Sequence, residues 1–265
     1  MVRVRRLSGG SSSAVHAVDV RTANGRVLHL VLRRHLLLSW LQEEPDLAER
    51  EARNLELLHA VGIPAPQLVA VDSEGAECDV PAVLMTRMPG HLDLHPRDLD
   101  LWLRRMAELL PPVHAVDPGQ FHVQKWAIWD DLREAQPPEW SRRKPEWERL
   151  IDIVRGPWPA YRTRFVHRDF QQYNVLWSRG RPNCLVDWIN ASMGPAELDY
   201  GHFRHNLLDF GFDVVDRFEK VYREVTGEEP DPFWEALNFS PSWCDTAQKQ
   251  AAVDAYVASL VAKLR

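Results

Sequence analysis

Two acids and an amide stand at spacings that suit phosphoryl transfer. The stretch Phe165-Val166-His167-Arg168-Asp169-Phe170-Gln171-Gln172-Tyr173-Asn174 runs from an apolar pair into His-Arg-Asp, and an asparagine follows the aspartate by five positions. Eighteen residues beyond Asp169 comes Leu185-Val186-Asp187-Trp188, a second acid at the end of an apolar strand. Moving a phosphoryl group needs one carboxylate to orient and deprotonate the attacking hydroxyl. It also needs a carboxylate and an amide oxygen to hold Mg²⁺ against the phosphates. A hairpin of two short strands between Asn174 and Asp187 would bring Asp169, Asn174 and Asp187 to one point.

The elements around these residues follow from the pattern of apolar side chains. Val15 to Val20 alternates as a half-buried strand does, Asn24-Gly25 supplies a turn, and Val27 to Arg33 returns as the second arm of a meander. From Pro45 the period becomes helical, with Leu47, Glu51, Leu55 and Leu58 on one face and Gly62-Ile63-Pro64 as the stop. Strands are expected over Gln67 to Val71 and Pro81 to Met88. After Gly90 the chain turns helical, with helices over Asp100 to Leu110, Val214 to Val225 and Thr246 to Leu264. The first of these should stop before Pro111-Pro112, and the Pro- and Trp-rich stretch 136–160 reads as irregular or short-helical. The layout is α+β: a small strand-rich lobe over residues 1–87, then a larger helical lobe over residues 88–265.

Composition narrows the classes. With 265 residues, 45% hydrophobic and 26% charged, the chain is globular, and a net charge of −6 argues against a nucleic-acid binder. There is no apolar run long enough for a membrane span and no CxxC among the three cysteines, so a cytoplasmic protein is expected. The charge is polarised. Residues 1–34 hold seven arginines against one acid, whereas residues 184–245 hold thirteen acids against four bases. All five lysines lie after residue 124, so any phosphate-binding cation of the first lobe is an arginine or a histidine. Eleven tryptophans, ten of them after Leu101, are a surplus with no role assigned by the sequence.

The catalytic string, the D-W acid with Gly194 and Asp199 seven and twelve residues beyond it, and Phe218 to Gly227 together resemble the aminoglycoside phosphotransferase and choline kinase-like family. The resemblance spans roughly residues 5 to 227. It implies a bilobal protein-kinase-like fold and a kinase that uses ATP or GTP with Mg²⁺ to phosphorylate a hydroxyl of a small molecule. It places Asp169 on the catalytic aspartate and Asn174 and Asp187 on the metal ligands. Ser11 and Ser12 fall in the nucleotide-covering turn, and Arg33 falls where the family carries its phosphate-pairing cation. Glu51 matches the helix glutamate that positions that cation, and Arg87 and Met88 lie in the hinge that would hold the nucleobase edge. Asp199 is expected to brace the catalytic loop.

Three departures stand out. Arg168 replaces the family's usual glycine, Ile189-Asn190 replace an acid that helps to hold an amine, and Pro111-Pro112 interrupt a helix. The acceptor is expected to be amine-bearing, such as an aminoglycoside, drawn by acids such as Glu197, Asp209 and Asp213, with Arg168 beside them. The alternatives are a kinase for choline or ethanolamine, homoserine, a sugar or a macrolide, and a catalytically silent nucleotide-binding regulator.

Overall fold

The computed structural model of the chain describes residues 2–8, 10, 12–129, 131–239, 244 and 246–264. They pack as two units, each made from more than one stretch of chain. The first comprises Met1–Asp93, Pro118–Val123 and Asn174–Asn190; the second comprises Leu94–Asp117, Gln124–Tyr173 and Ala191–Arg265.

The first unit is built on a five-stranded antiparallel sheet. Its strands are β1 (Val2–Arg6), β2 (Ser13–Arg21), β3 (Val27–His35), β4 (Leu68–Asp72) and β5 (Ala82–Thr86), in the order β1-β2-β3-β5-β4. Strand alternation decides which side chains face inward. Arg33 and His35 of β3, two residues apart, are buried on one face, whereas Arg34 between them turns to the other face and donates to the carbonyl of Cys78. The Leu47–Val61 helix packs on β4 and β5, and its buried face carries Leu47, Ala48, Glu51, Leu55 and Leu58. Gly62 ends it in the left-handed conformation that glycine adopts freely. A hairpin of Val175–Ser178 and Arg181–Leu185 completes the unit and separates Asn174 from Asp187.

The second unit is mainly helical. The Leu99–Ala107 helix lies against the Phe212–Thr226 helix, and Lys144–Arg155 lies against Ala247–Lys263. One expectation holds and one is corrected here. The Leu99–Ala107 helix stops before Pro111 and Pro112, as expected. They open a new short one, Leu110–His114, where a missing N–H costs nothing. Within residues 136–160 the structure has a full twelve-residue helix whose Trp147, Leu150, Ile151 and Val154 are buried, with Pro145 in its first turn. Much of the tryptophan surplus is core: Trp102, Trp147 and Trp234 are among the largest fully buried side chains of this unit. Strands Thr163–Val166 and Ser192–Pro195 pair antiparallel, and the Gln124–Trp126 segment bonds to Met193 of that pair. Gly194 permits the approach, since a Cβ there would sit 2.7 Å from the Trp126 ring. No helix among the described residues is long and apolar enough to cross a membrane.

Candidate active site

In the first unit a buried arginine joins three elements. Arg33 Nη1 donates to Glu51 Oε1 at 2.9 Å and to Asp187 Oδ1 at 2.5 Å, while Nη2 donates to Asp187 Oδ2 at 3.3 Å. Its Nε donates to Ser13 Oγ at 3.2 Å. The planar fork of arginine makes all of these bonds at once, which a lysine ammonium at the end of a flexible stem does less well. Burial alone would push the guanidinium pKa down, but the carboxylates of Asp187 and Glu51 hold it above its ordinary value. Glu51 moves upward because it is buried and feels Asp187, with Arg33 opposing. His35 stands 3.8 Å from Glu51 and is pushed down to about 3 by burial and by Arg33 and Arg50, so it stays neutral.

The other residues singled out by the sequence in the first unit are placed as follows. Asn174 is buried, and its carbonyl accepts from Val186 N at 2.9 Å across the base of the hairpin, so the main chains of Asn174 and Asp187 are tied one residue apart. Asp187 takes φ 67°, an unusual conformation for a residue with a Cβ. Its carboxylate retains 29% exposure. A carboxylate and an amide oxygen are hard donors of the kind Mg²⁺ accepts, since it takes few protein ligands and leaves positions for phosphate and water. Among the described residues no three His, Cys, Asp or Glu cluster as a site held by protein alone.

Ser11 lies outside the described residues. Ser12 contributes its carbonyl to Leu36 and Leu37, and it is Ser13, not singled out by the sequence, whose hydroxyl reaches Arg33. Gly10 makes that turn with φ 88°, and a Cβ there would meet the Ser13 carbonyl at 2.8 Å. Arg87 leaves β5 with its N–H bonded to the His29 carbonyl and its side chain 3.1 Å from Asp19; Met88 follows, half-buried.

Asp169 belongs to the second unit, where its carboxylate is one-fifth exposed. Gln171 Nε2 donates to its Oδ1 at 2.7 Å, and His202 Nε2 lies 2.9 Å from the same oxygen. His202 meets the edge of Trp129 at 5.8 Å between centroids. Arg168 is fully buried, with its guanidinium 4.3 Å over the Trp129 ring and Nη2 donating to Ala127 O at 2.6 Å. Burial brings its pKa down to about 10, against the pull of Asp199 and Asp169. Asp199 accepts the amides of His167 and Arg168 at 2.9 and 2.7 Å and faces His114 Nε2 at 3.0 Å. Burial works to raise this carboxyl, but those partners hold it below the usual range. The anchored turn puts Arg168 at φ 71°.

The acids proposed for the acceptor disperse. Asp209 pairs with Lys249 at 2.9 Å, and Asp213 is exposed in the first turn of its helix. Glu197 accepts the Asp231 amide and is pushed upward by burial. His202, Trp129 and Ser13 are the site neighbours that the sequence did not single out.

The sequence and the fold have counterparts. Residues 3–236 match the model of the phosphotransferase enzyme family, APH, and the chain belongs to that family. The fold is similar to the solved structure of aminoglycoside phosphotransferase APH(4)-Ia with ADP and hygromycin B, at 17% identity and TM-score 0.60, covering 99% of this chain and 92% of that one. It is equally similar to a macrolide 2′-phosphotransferase type I, at 18% identity and TM-score 0.60, covering 98% and 90%. In sequence it is 22% identical to acyl-CoA dehydrogenase family member 10 of Mus musculus over 221 residues. It is 28% identical to N-acetylmuramate/N-acetylglucosamine kinase of Neisseria meningitidis serogroup B over 97 residues. Those matches cover 70% and 35% of this chain but only 21% and 29% of the respective relatives, so the chain spans well under two thirds of their lengths.

Proposed function

We propose that the chain transfers the γ-phosphoryl group of ATP or GTP to a hydroxyl of a small molecule. The observation that carries this is Arg33, bonded at once to Glu51, to Asp187 and to Ser13. That is a phosphate clamp braced from its helix and touching the acid that would hold metal. Asn174 and Asp187 would hold Mg²⁺, which would offset negative charge on the phosphate oxygens. Arg33 pairs with α/β-phosphate oxygens while Glu51 and Ser13 keep its fork aimed. Ser12 and its turn cover the phosphates, and the main chain at Arg87 and Met88 meets the nucleobase edge. Asp169 orients the acceptor hydroxyl and takes its proton as the new O–P bond forms; the bond from the γ-phosphorus to the bridging oxygen breaks, and the nucleoside diphosphate leaves.

On the acceptor side, an amine-bearing compound such as an aminoglycoside would rest on Glu197, Asp209 and Asp213. Those carboxylates share no partner among the described residues, and Asp209 is taken by Lys249. The acceptor is therefore a small hydroxyl compound. Release of nucleoside diphosphate, followed across a panel of acceptors with and without Mg²⁺, is the test. Asp169→Asn should retain nucleotide binding and lower turnover by roughly 10²–10⁴-fold. Full turnover in Asp169→Asn would remove this assignment. Tight nucleotide binding with no turnover on any acceptor would replace it with a non-catalytic regulator.

A further inference from the structure

Two tryptophans that are not core, Trp126 and Trp158, meet in the second unit. An open cavity of about 690 Å³ is lined by Trp126, Trp158 and Tyr161, with Lys125, Arg133 and Asp131 around them. That volume lies within the range of small-molecule sites. Trp126 and Trp158 pack at 5.7 Å between centroids, and both rest edge-on against buried Trp234. Trp158 and Tyr161 nevertheless keep 42% and 41% exposure. Trp126 Nε1 donates to Tyr161 OH at 3.2 Å, which fixes the two rings relative to each other. Rings supported from below and open above form a platform for a flat apolar face.

The charge at this platform is positive. Arg133 is matched by Asp131, which it holds through Nε and Nη2 at 2.8 and 2.6 Å, and its guanidinium stands 5.3 Å from the Trp158 centroid. Lys125 has no carboxylate within ion-pair distance among the described residues. A polyamine would meet this ammonium as a like charge, whereas a carboxylate would find a partner.

The platform is also tied to Asp169. Ala127 lines the cavity, and its carbonyl accepts from Arg168, the residue before Asp169. The walk from the Ala127 oxygen through the Arg168 side chain to the Asp169 backbone is about 13 Å at most, the reach of a molecule of two to three rings.

We infer that this cavity seats the phosphoryl acceptor, and that the acceptor carries a flat ring face, which lies on Trp126, Trp158 and Tyr161, and a carboxylate, which pairs with Lys125. The inference rests on the kinase proposal for the word acceptor, while the binding chemistry of the cavity stands by itself.

The test is calorimetric titration with three probes: phenyl β-D-glucuronide, phenyl β-D-glucoside and kanamycin. The glucuronide should bind tighter than the glucoside by roughly fivefold, the size of one accessible charge pair. Lys125→Ala should bring that ratio close to one without weakening the glucoside, and Trp158→Ala should weaken both glycosides roughly five- to tenfold. Lys125 is exposed, whereas Trp158→Ala uncovers an edge of buried Trp234, so a thermal melt of each variant confirms folding before binding is compared. Tighter binding of kanamycin, a ratio unmoved by Lys125→Ala, or no glycoside binding by the unmodified chain would each overturn the inference. Titration of Mg-ATP in the same preparations keeps the two proposals apart: nucleotide binding without glycoside binding removes the cavity assignment and spares the kinase, and the reverse result does the opposite.

Discussion

Replacing Arg33 by methionine, Arg33→Met, isolates what the buried cation does for its neighbours. The side chains of Arg33 and Glu51 keep only 9% and 1% exposure, so the pair is shielded from water and salt. Removing one partner of such a pair costs about 3–5 kcal/mol, because the other is left charged and unmatched. His35 does not substitute. It lies 3.8 Å from Glu51, but burial and its cationic neighbours keep it neutral. Glu51 is already displaced upward by burial, with Asp187 adding to the shift and Arg33 opposing it. Without Arg33 the opposition disappears and the displacement grows.

A carboxyl whose folded pKa exceeds its unfolded one contributes stability that is fully present below the unfolded value. That stability is lost as pH rises through the folded value. The deficit of Arg33→Met against the unmodified chain should therefore be smaller at pH 5 than at pH 8, by up to about 1.4 kcal/mol for each pH unit crossed while Glu51 titrates. Urea denaturation of both proteins at pH 5, 6.5 and 8 reads this directly. Adding Glu51→Gln to Arg33→Met should flatten the pH dependence and recover about 2 kcal/mol at pH 8, since a neutral amide replaces a stranded charge. A deficit below about 1 kcal/mol, or one that is the same at all three pH values, would refute the reasoning.

Three further changes address the second unit. Asp199→Asn should destabilise the chain by about 2–4 kcal/mol at pH 7, since it weakens acceptance of two buried amides and the contact with His114. Because the Asp199 carboxyl is held below its ordinary value, the unmodified chain should lose this advantage as pH falls below about 4, so its melting temperature should converge on the variant's there. Gly194→Ala should cost about 1–3 kcal/mol in a thermal melt by driving a methyl into the Trp126 ring, 2.7 Å away. His202→Ala should lower kcat roughly ten- to a hundredfold with KM for nucleotide unchanged, because Asp169 loses the ring beside its Oδ1. His202→Asn should restore part of that loss.

Where side chains a few residues apart decide the matter, the site was legible. The spacing of Asp169, Asn174 and Asp187 implied a strand hairpin between the last two, and the structure has it. The family resemblance pointed to Arg33, the absence of lysine before residue 125 agreed with an arginine there, and strand alternation aimed it inward. Helical period put Glu51 on the buried face. What escaped were contacts between distant positions and features without a periodic signature. Ser13 rather than Ser12 faces Arg33 because β2 begins at Ser13 and pairs it with His35, a register no local rule sets. The Glu197–Leu207 helix that delivers His202 is buried on nearly all sides, so it shows no apolar stripe. The helix within residues 136–160 was masked by prolines, which sit before it and in its first turn, where they punctuate rather than break.

Arg168 divides its labour between two halves. Its main chain, bent into a conformation that suits glycine and costs a residue with a Cβ about 1–2 kcal/mol, presents the aspartate that follows. Its side chain does something unrelated, lying over Trp129 and gripping the Ala127 carbonyl. A glycine there would keep the first task, perform it with less strain, and drop the second. The arginine thus converts a turn into a fastener between the residue before Asp169 and the segment that carries Ala127.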